Sequence, residues 1–338
     1  MNNSNISISA SPSNEGWVCN EFGDYQNLRI KPIAEVSPRE GEVLIENHVF
    51  ALGFPDLLMI QGGYQLKPTL PFVPCTEFSG EVIETGAESD KYLIGSRFIG
   101  TVRFGAAAKY LVANKSDCIA LPEAVTFAEG ASFSVAYKTA YVGLVSRGSV
   151  KPGEKVLVLG ASGGVGLAAV DLAKYLGATV FGAVKGEKKT RKVLETGADY
   201  VVDVGQNELR TEIKKLTEGR GVDVVFDPVG GDLFDASLRC LAPFGRMLVI
   251  GFASGIIPKL SVNYALIKQL SIIGVRAGEY GRQYEEGGKQ VMEGLTQLIR
   301  SKTIKPEVYE TLSWKNLRQG FALVENREVI GRVTIACK

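Results

Sequence analysis

Lys155-Val-Leu-Val-Leu-Gly160-Ala-Ser-Gly163-Gly164-Val-Gly166, followed directly by Leu-Ala-Ala-Val-Asp-Leu-Ala-Lys-Tyr-Leu-Gly-Ala178, reads as a buried strand that turns through glycines into an apolar helix. Residues without a Cβ let a backbone approach a pyrophosphate closely. The helix that starts there aims its free N–H groups and positive dipole end at the phosphates. The strict GxGxxG form is missed by one methyl, with Ala161 in the first position and Gly163 and Gly166 in the others. Glycine turns also join strands and helices that bind nothing. Here a second strand, Thr179-Val-Phe-Gly-Ala-Val184, completes the context that a dinucleotide cradle requires.

The chain has 338 residues, enough for two domains with full cores. Its 38 basic and 37 acidic side chains are dispersed and leave a net charge of +1, which argues against a nucleic-acid groove or an anionic membrane surface and for a small-molecule partner. Asp171 and Lys174 interrupt the longest apolar stretch before it reaches the roughly 18 residues of a membrane span. Residues 1–16 contain no Lys or Arg and no long apolar run, unlike a secretory or transit peptide, and read as a disordered tail. The cysteines at 19, 75, 118, 240 and 337 are odd in number and never in CxxC spacing, which fits a reduced cytoplasmic setting. His48 is the only histidine; it sits in the strand-like run 42–50 and reads as a packed or surface residue.

From about 136 to 275 the pattern alternates. Strands are expected at 155–160, 179–184, 200–203, 222–227, 245–250 and 270–275, with helices at about 164–176, 188–196, 208–218 and 232–241. This predicts an α/β, doubly wound parallel sheet. The preceding segment is rich in Gly and Pro, with short strands such as 42–50, 78–84 and 97–102, the pattern of an irregular β-barrel. After 276 come a Gly-rich loop (277–282), helices near 286–301 and 314–324, and a strand at 331–336 expected to rejoin the first domain. The expected division is thus 17–135 with 276–338 as the substrate domain, 136–275 as the dinucleotide domain, and 1–16 as the tail.

With this layout the chain resembles a medium-chain dehydrogenase/reductase, in the zinc-free quinone oxidoreductase (zeta-crystallin-like) branch. The resemblance runs through Glu21-Phe-Gly, Pro71-Phe-Val-Pro-Cys-Thr-Glu-Phe-Ser-Gly80, Ala136-Tyr-Lys-Thr-Ala140, the cradle, Asp227-Pro-Val-Gly-Gly231 and Gly245-Arg-Met-Leu-Val-Ile-Gly251. It implies a GroES-like irregular β-barrel catalytic domain beside a Rossmann domain. Asp171 stands where the branch has a glutamine, at a position expected to face helix packing or solvent. Gly53, Thr76 and Ala131 align with the Cys, His and Cys zinc ligands of related alcohol dehydrogenases, so no catalytic metal is expected. Gly53 and Leu58 also replace an Asn and a Tyr that often line the branch's pocket, which removes a hydroxyl. Cys75 takes the place of a usual glycine; its thiol is either reactive beside the pocket or packed and inert.

NAD enzymes carry an acid at the end of the second strand, where this chain has Val184 followed by a basic cluster, Lys185-Gly-Glu-Lys-Lys-Thr-Arg191. The resemblance makes Lys189 a ligand of the adenosine 2′-phosphate of NADPH and Arg327 an arginine closing over it, with Lys185 nearby and Val204 on the adenine side. It assigns Ala161, Ser162, Gly163, Gly164, Val165 and Gly166 to the pyrophosphate. Thr139, the loop Val249, Ile250, Gly251, Phe252 and the loop Gly274, Val275, Arg276 fall to the nicotinamide side. Phe54, Leu58, Met59 and Tyr64 are candidates for an apolar acceptor wall, or are ordinary core.

The implied chemistry is zinc-independent hydride transfer from NADPH to a quinone or related conjugated carbonyl. Two alternatives stay open: an enone or enoyl-thioester reductase, and an NADPH-binding sensor or interaction protein of low activity. The apolar run Leu270-Ser-Ile-Ile-Gly-Val275 predicts a homodimer through the edge of the Rossmann sheet.

Overall fold

A computed structural model describes residues 13–301 and 303–338. Six parallel strands form one sheet, in the order Tyr200–Asp203, Thr179–Val184, Lys155–Leu159, Val222–Asp227, Leu241–Val249, Ser271–Gly274. In the strand Lys155–Leu159, Val156 and Val158 enter one hydrophobic cluster and Leu157 and Leu159 another, because successive side chains point to opposite faces. The chain first winds outward from Lys155–Leu159 and then crosses to Val222–Asp227 on its other side. That reversal opens a crevice at the carboxyl ends of the two strands, the usual ligand site of such sheets.

The second sheet runs Val308–Ser313, Arg332–Ala336, Glu42–Leu52, Glu77–Thr85, Arg97–Thr101, Cys118–Ala120, with Tyr110–Asn114 also paired to Glu42–Leu52. The terminal strand therefore returns to the first half of the chain, antiparallel to Glu42–Leu52. Its neighbour Gly331 reaches the other sheet's turn, donating from its N–H to the Ser162 carbonyl at 2.9 Å.

Three expectations need correction. Residues 1–12 of the expected tail lie outside the described residues, but Asn14–Val18 is a strand paired with Arg29–Ile33, and the Asn14 side chain exchanges hydrogen bonds with the Tyr110 backbone at 2.8 and 3.1 Å. The Gly-rich segment after 276 is a helix, Ala277–Gln283, rather than a loop. Its glycines serve close approach: a Cβ on Gly288, in the following helix Glu285–Ser301, would stand 2.7 Å from Gly281 Cα. The helices Phe54–Ile60 and Asn263–Lys268 were not anticipated. Asp171, expected to face helix packing or solvent, is half-buried against the helix Phe127–Tyr141; it accepts hydrogen bonds from the Tyr137 hydroxyl at 2.5 Å and the Lys305 N–H at 3.0 Å, joining the cradle helix to the segment that returns to the second sheet.

Candidate cofactor and acceptor site

The helix Gly164–Tyr175 starts at the carboxyl end of Lys155–Leu159, beside the crevice. Gly160 has φ +57°, which favours glycine, and a Cβ on Gly166 would stand 2.2 Å from the Gly160 carbonyl oxygen. Packing of the protein itself therefore demands these two glycines. Gly163 is different. Its nearest neighbour to an added Cβ is 3.6 Å away, so the chain alone leaves this position open, as a close-approaching pyrophosphate requires. Ala161 is fully buried, and its methyl is accommodated in the core, which is why the missing first glycine does no harm.

At the end of the crevice expected to take the adenosine, the structure brings together residues 138 positions apart: Lys189 Nζ donates to the Arg327 carbonyl at 2.7 Å. Arg327 Nη2 in turn donates to the Ala253 carbonyl at 2.9 Å, tying the C-terminal segment to the loop after Val249. Among the described residues neither cation has a carboxylate at ion-pair distance. Partial burial and the nearby Arg327 charge push the Lys189 ammonium below its usual range, the signature of cations gathered without an anion. Lys185 is exposed and lies over Gly205. Val204 pairs through its N–H with the Val184 carbonyl at 2.8 Å. One acid was missed here: Asp203 Oδ1 accepts from the N–H groups of Gly186 (3.1 Å) and Gly205 (2.9 Å). It ends the third strand rather than the second, so a search at the end of the second strand passes it by.

At the other end of the crevice, Asp227 Oδ1 accepts from Val229 and Gly230 N–H (2.7 and 2.9 Å), and its carbonyl accepts from Ile250 N–H at 2.9 Å. These bonds shape the half-buried run Val249–Phe252, and Val275 N–H bonds to the Val249 carbonyl at 2.9 Å. Gly274 and Arg276 flank Val275 and are exposed. The Thr139 hydroxyl, half-buried, is turned back onto the Val135 carbonyl at 2.7 Å. Of the acceptor candidates, Phe54, Leu58 and Tyr64 are half-buried, whereas Met59 is 1% exposed and belongs to the core with Leu57 and Ile60. Helical spacing explains the correction, since Met59 falls on the inward face of Phe54–Ile60.

Beside that helix lies a buried charged cluster that sequence reasoning did not find. Arg332, at the start of the terminal strand, is ion-paired with Glu77, whose other oxygen accepts from the Val135 N–H at 2.8 Å. Its side chain fills the space over Gly164, where a Cβ would meet Arg332 Cδ. A Cβ added to Gly53 would stand 3.2 Å from both Arg332 Nη1 and Asp56 Oδ2, so this cluster converges on the position where the family resemblance implies an Asn. Asp56 Oδ2 caps its own helix by accepting from Gly53 N–H at 2.8 Å, while Asp56 Oδ1 is buried without a partner. Burial outweighs the opposing pull of Arg332, Gly53 and the Thr76 hydroxyl, and the Asp56 carboxyl is pushed up to about 6.

Gly53, Thr76 and Ala131 carry no group that binds zinc well. Among the described residues, Glu46, His48 and Glu81 have ligand-like spacing, with His48 Nε2 3.9 Å from each carboxylate. The Lys338 ammonium already sits 3.0 Å from Glu46, and the His48 ring packs on Phe127 at 4.3 Å. Cys75 is fully buried, and burial holds its thiol well above the usual range, so it is packed and inert. Its φ of +69° explains why a glycine is usual there.

Residues 39–123 match the alcohol dehydrogenase GroES-like domain and residues 164–294 the zinc-binding dehydrogenase domain. Mouse quinone oxidoreductase-like protein 2 is 36% identical over 310 residues, covering 90% of this chain and 89% of that protein. The chain belongs to the medium-chain dehydrogenase/reductase family, in its quinone oxidoreductase branch. Two solved structures superpose over 96% of this chain and all of theirs: Escherichia coli quinone oxidoreductase complexed with NADPH, at TM-score 0.86 and 28% identity, and mycobacterial Rv1454c complexed with NADPH, at 0.88 and 28%. Family membership places the chain among oxidoreductases of GroES-like and Rossmann architecture. No helix among the described residues is long and apolar enough to cross a membrane.

Proposed function

We propose that this protein binds NADPH and passes its hydride to a quinone or related conjugated carbonyl without zinc. The observation that carries the reading is the Lys189–Arg327 pair, two cations held together with no carboxylate, at the end of a crevice whose turn leaves Gly163 open. A 2′-phosphate there supplies the missing charge. The cofactor, when bound, supplies the hydride. The chain's residues do the rest: the first turn of Gly164–Tyr175 holds the pyrophosphate, the loops at 249–252 and 274–276 bound the nicotinamide, and Phe54, Leu58 and Tyr64 form an apolar wall for the acceptor. The buried Asp56 Oδ1, which has no partner among the described residues, favours, as a second reading, an enone acceptor that needs a proton.

Calorimetric titration with NADPH and NADH, followed by an acceptor panel of quinones, alkenals and alcohols, tests the reading. Tighter NADPH binding and oxidation by a quinone or an alkenal are expected. Equal affinities would sink the cofactor assignment, and binding without turnover would select the sensor reading.

The assembly we infer is a homodimer through the sheet edge. Ser271–Gly274 is the outermost strand, Ile272 on it is exposed, and Ile256, Ile257, Val262, Leu266 and Ile267 are exposed nearby. Sedimentation at micromolar concentration should give a dimer that Ile272→Glu dissociates; a monomeric wild type would overturn it.

A further inference from the structure

We propose that the acceptor site continues onto a strip of three phenylalanines, and that the acceptor is a conjugated carbonyl bearing an apolar tail. The proposal rests on the reading of the protein as an NADPH-dependent reductase of quinones or enones. Backbone pairing between three segments far apart in the chain builds the strip. Cys19 and Phe72 exchange N–H to carbonyl bonds at 2.8 and 3.0 Å. The loop after Arg97–Thr101 returns along the same segment, with Ala106 N–H on the Cys75 carbonyl at 3.0 Å and Ala107 N–H on the Pro74 carbonyl at 2.9 Å. Each segment contributes one ring. The ring centroids of Phe22 and Phe72 are 6.1 Å apart and those of Phe72 and Phe104 6.0 Å, the spacing of rings in direct contact. Phe72, between them, is buried, whereas Phe22 and Phe104 are 37% and 40% exposed.

A lone exposed ring needs no explanation, but open rings on either side of a third make a continuous apolar surface of the kind that marks a binding site. This surface joins the acceptor wall. Gly23 N–H donates to the Ile60 carbonyl at 3.0 Å, which fixes the Phe22 loop to the last turn of the helix Phe54–Ile60. A Cβ on Gly62 would stand 3.2 Å from Phe22 Cβ and Cγ, so the phenylalanine lies directly against the turn that follows that helix. The same turn folds back on the wall: Gly63 and Tyr64 N–H both donate to the Leu58 carbonyl, at 2.8 and 3.2 Å, and a Cβ on Gly63 would stand 3.9 Å from Leu58 Cδ2.

The Phe104 end faces the cofactor side. Arg103 Nη2 lies 3.7 Å from Glu279 on the helix Ala277–Gln283, which follows the loop Gly274–Arg276 without a break. The strip thus runs from the wall that takes the acceptor's head towards the loop that bounds the nicotinamide. Gly53 and Leu58, where the family resemblance implies an Asn and a Tyr, leave the wall apolar at both positions and continuous in character with the strip. A small polar quinone would leave these rings in water. An alkyl or prenyl tail on the acceptor covers them and contributes binding alone, since the hydride goes to the conjugated head.

The test is NADPH oxidation with a benzoquinone that has no side chain and with the same ring carrying a decyl chain. In the wild type the decyl quinone should have a KM at least about ten-fold lower, the equivalent of burying two methylenes. Its kcat should be similar, because the tail is held equally in the ground and transition states. Phe22→Ala combined with Phe104→Ala should bring the KM ratio close to one. Both rings are exposed, so the double variant opens no core cavity, and its thermal unfolding should match that of wild type. Phe244→Ala removes an exposed phenylalanine near the start of the strand Leu241–Val249, away from the crevice at that strand's carboxyl end, and should keep the wild-type ratio.

Equal KM values in the wild type, a ratio that survives the double variant, or an equal loss in Phe244→Ala would overturn the strip. A surviving ratio with altered sedimentation of the double variant would give the surface to a second protein instead. If the wild type oxidises NADPH with neither quinone, the reductase reading itself falls. The strip is then judged by calorimetric binding of the two quinones: tighter binding of the decyl form that the double variant loses supports it, and equal binding refutes it.

Discussion

The two ends of the crevice handle charge in opposite ways. At the end expected to take the adenosine, Lys189 and Arg327 are gathered near the surface with no counter-ion among the described residues, held by backbone carbonyls. At the end expected to take the acceptor, Arg332 is buried in an ion pair with Glu77, and Asp56 is buried beside it. Cations assembled without a partner sacrifice stability for a ligand's charge. A buried ion pair instead holds a shape. Substitutions at the first end should therefore change binding and leave folding intact, whereas substitutions at the second should change folding first.

The sharpest way to break that contrast is Arg332→Leu. Removing the guanidinium strands two buried carboxyls, and breaking a buried pair costs about 3–5 kcal/mol. Chemical denaturation should show a loss of that size. The affinity of the surviving folded fraction for NADPH is secondary to it. A fully stable variant would mean that Glu77 and Asp56 are already protonated and the cluster is not ionic.

Lys189→Ala combined with Arg327→Ala should leave the denaturation curve within about 0.5 kcal/mol of wild type, as surface substitutions do. Each charge-assisted contact is worth about 1.5–3 kcal/mol, so NADPH affinity should fall at least about a hundred-fold while NADH affinity barely moves. Phosphate binding also restores the depressed Lys189 ammonium. NADPH binding should accordingly take up protons and weaken towards alkaline pH, measurable by calorimetry in buffers of different ionisation enthalpy. Unchanged selectivity would place the 2′-phosphate elsewhere.

The two ends were also unequally legible in the sequence. The cradle is contiguous, and its strand, turn and helix were readable to within about a residue because periodicity and glycine spacing are local signals. Lys189 and Arg327 lie 138 residues apart, and only family resemblance linked them before their contact was seen. Nothing local announces that Arg332 reaches Asp56 and Glu77, since the contact depends on how the terminal strand crosses from Gly331 over the cradle. Glycines misled in one direction: those of 277–282 read as loop formers, but Gly281 lets its helix touch the next one at Gly288. Met59 misled in another, because an apolar residue in an apolar helix can face core or cleft and composition does not distinguish them.

A gentler probe is Tyr137→Phe, which removes a single hydrogen bond to Asp171. The carboxylate keeps its bond from Lys305 N–H and is only half-buried, so a loss of about 1–2 kcal/mol is expected in denaturation, with unaltered NADPH affinity. A large change in affinity would show that this tether positions the cradle helix as well as stabilising it.

The smallest expected effect, Cys75→Gly, sets backbone strain against packing inside the acceptor half. At φ +69° a residue with a Cβ pays about 1–2 kcal/mol that glycine does not. Against this gain, glycine gives up a fully buried side chain, worth about 1–2 kcal/mol for a group of this size, and adds about 0.5–1 kcal/mol of unfolded-chain entropy. The terms nearly cancel, and the melting temperature should move by only a few degrees, on the side of destabilisation. Thiol labelling of the native wild type should leave Cys75 unmodified, since its thiol is both buried and held far from ionisation. A clear rise in stability for the glycine variant would mean that the backbone strain at 75 outweighs its packing. Rapid labelling of the wild-type thiol would instead show that the pocket beside Asp56 opens to solvent, and the buried cluster would then have to be treated as accessible, like the cations at the other end.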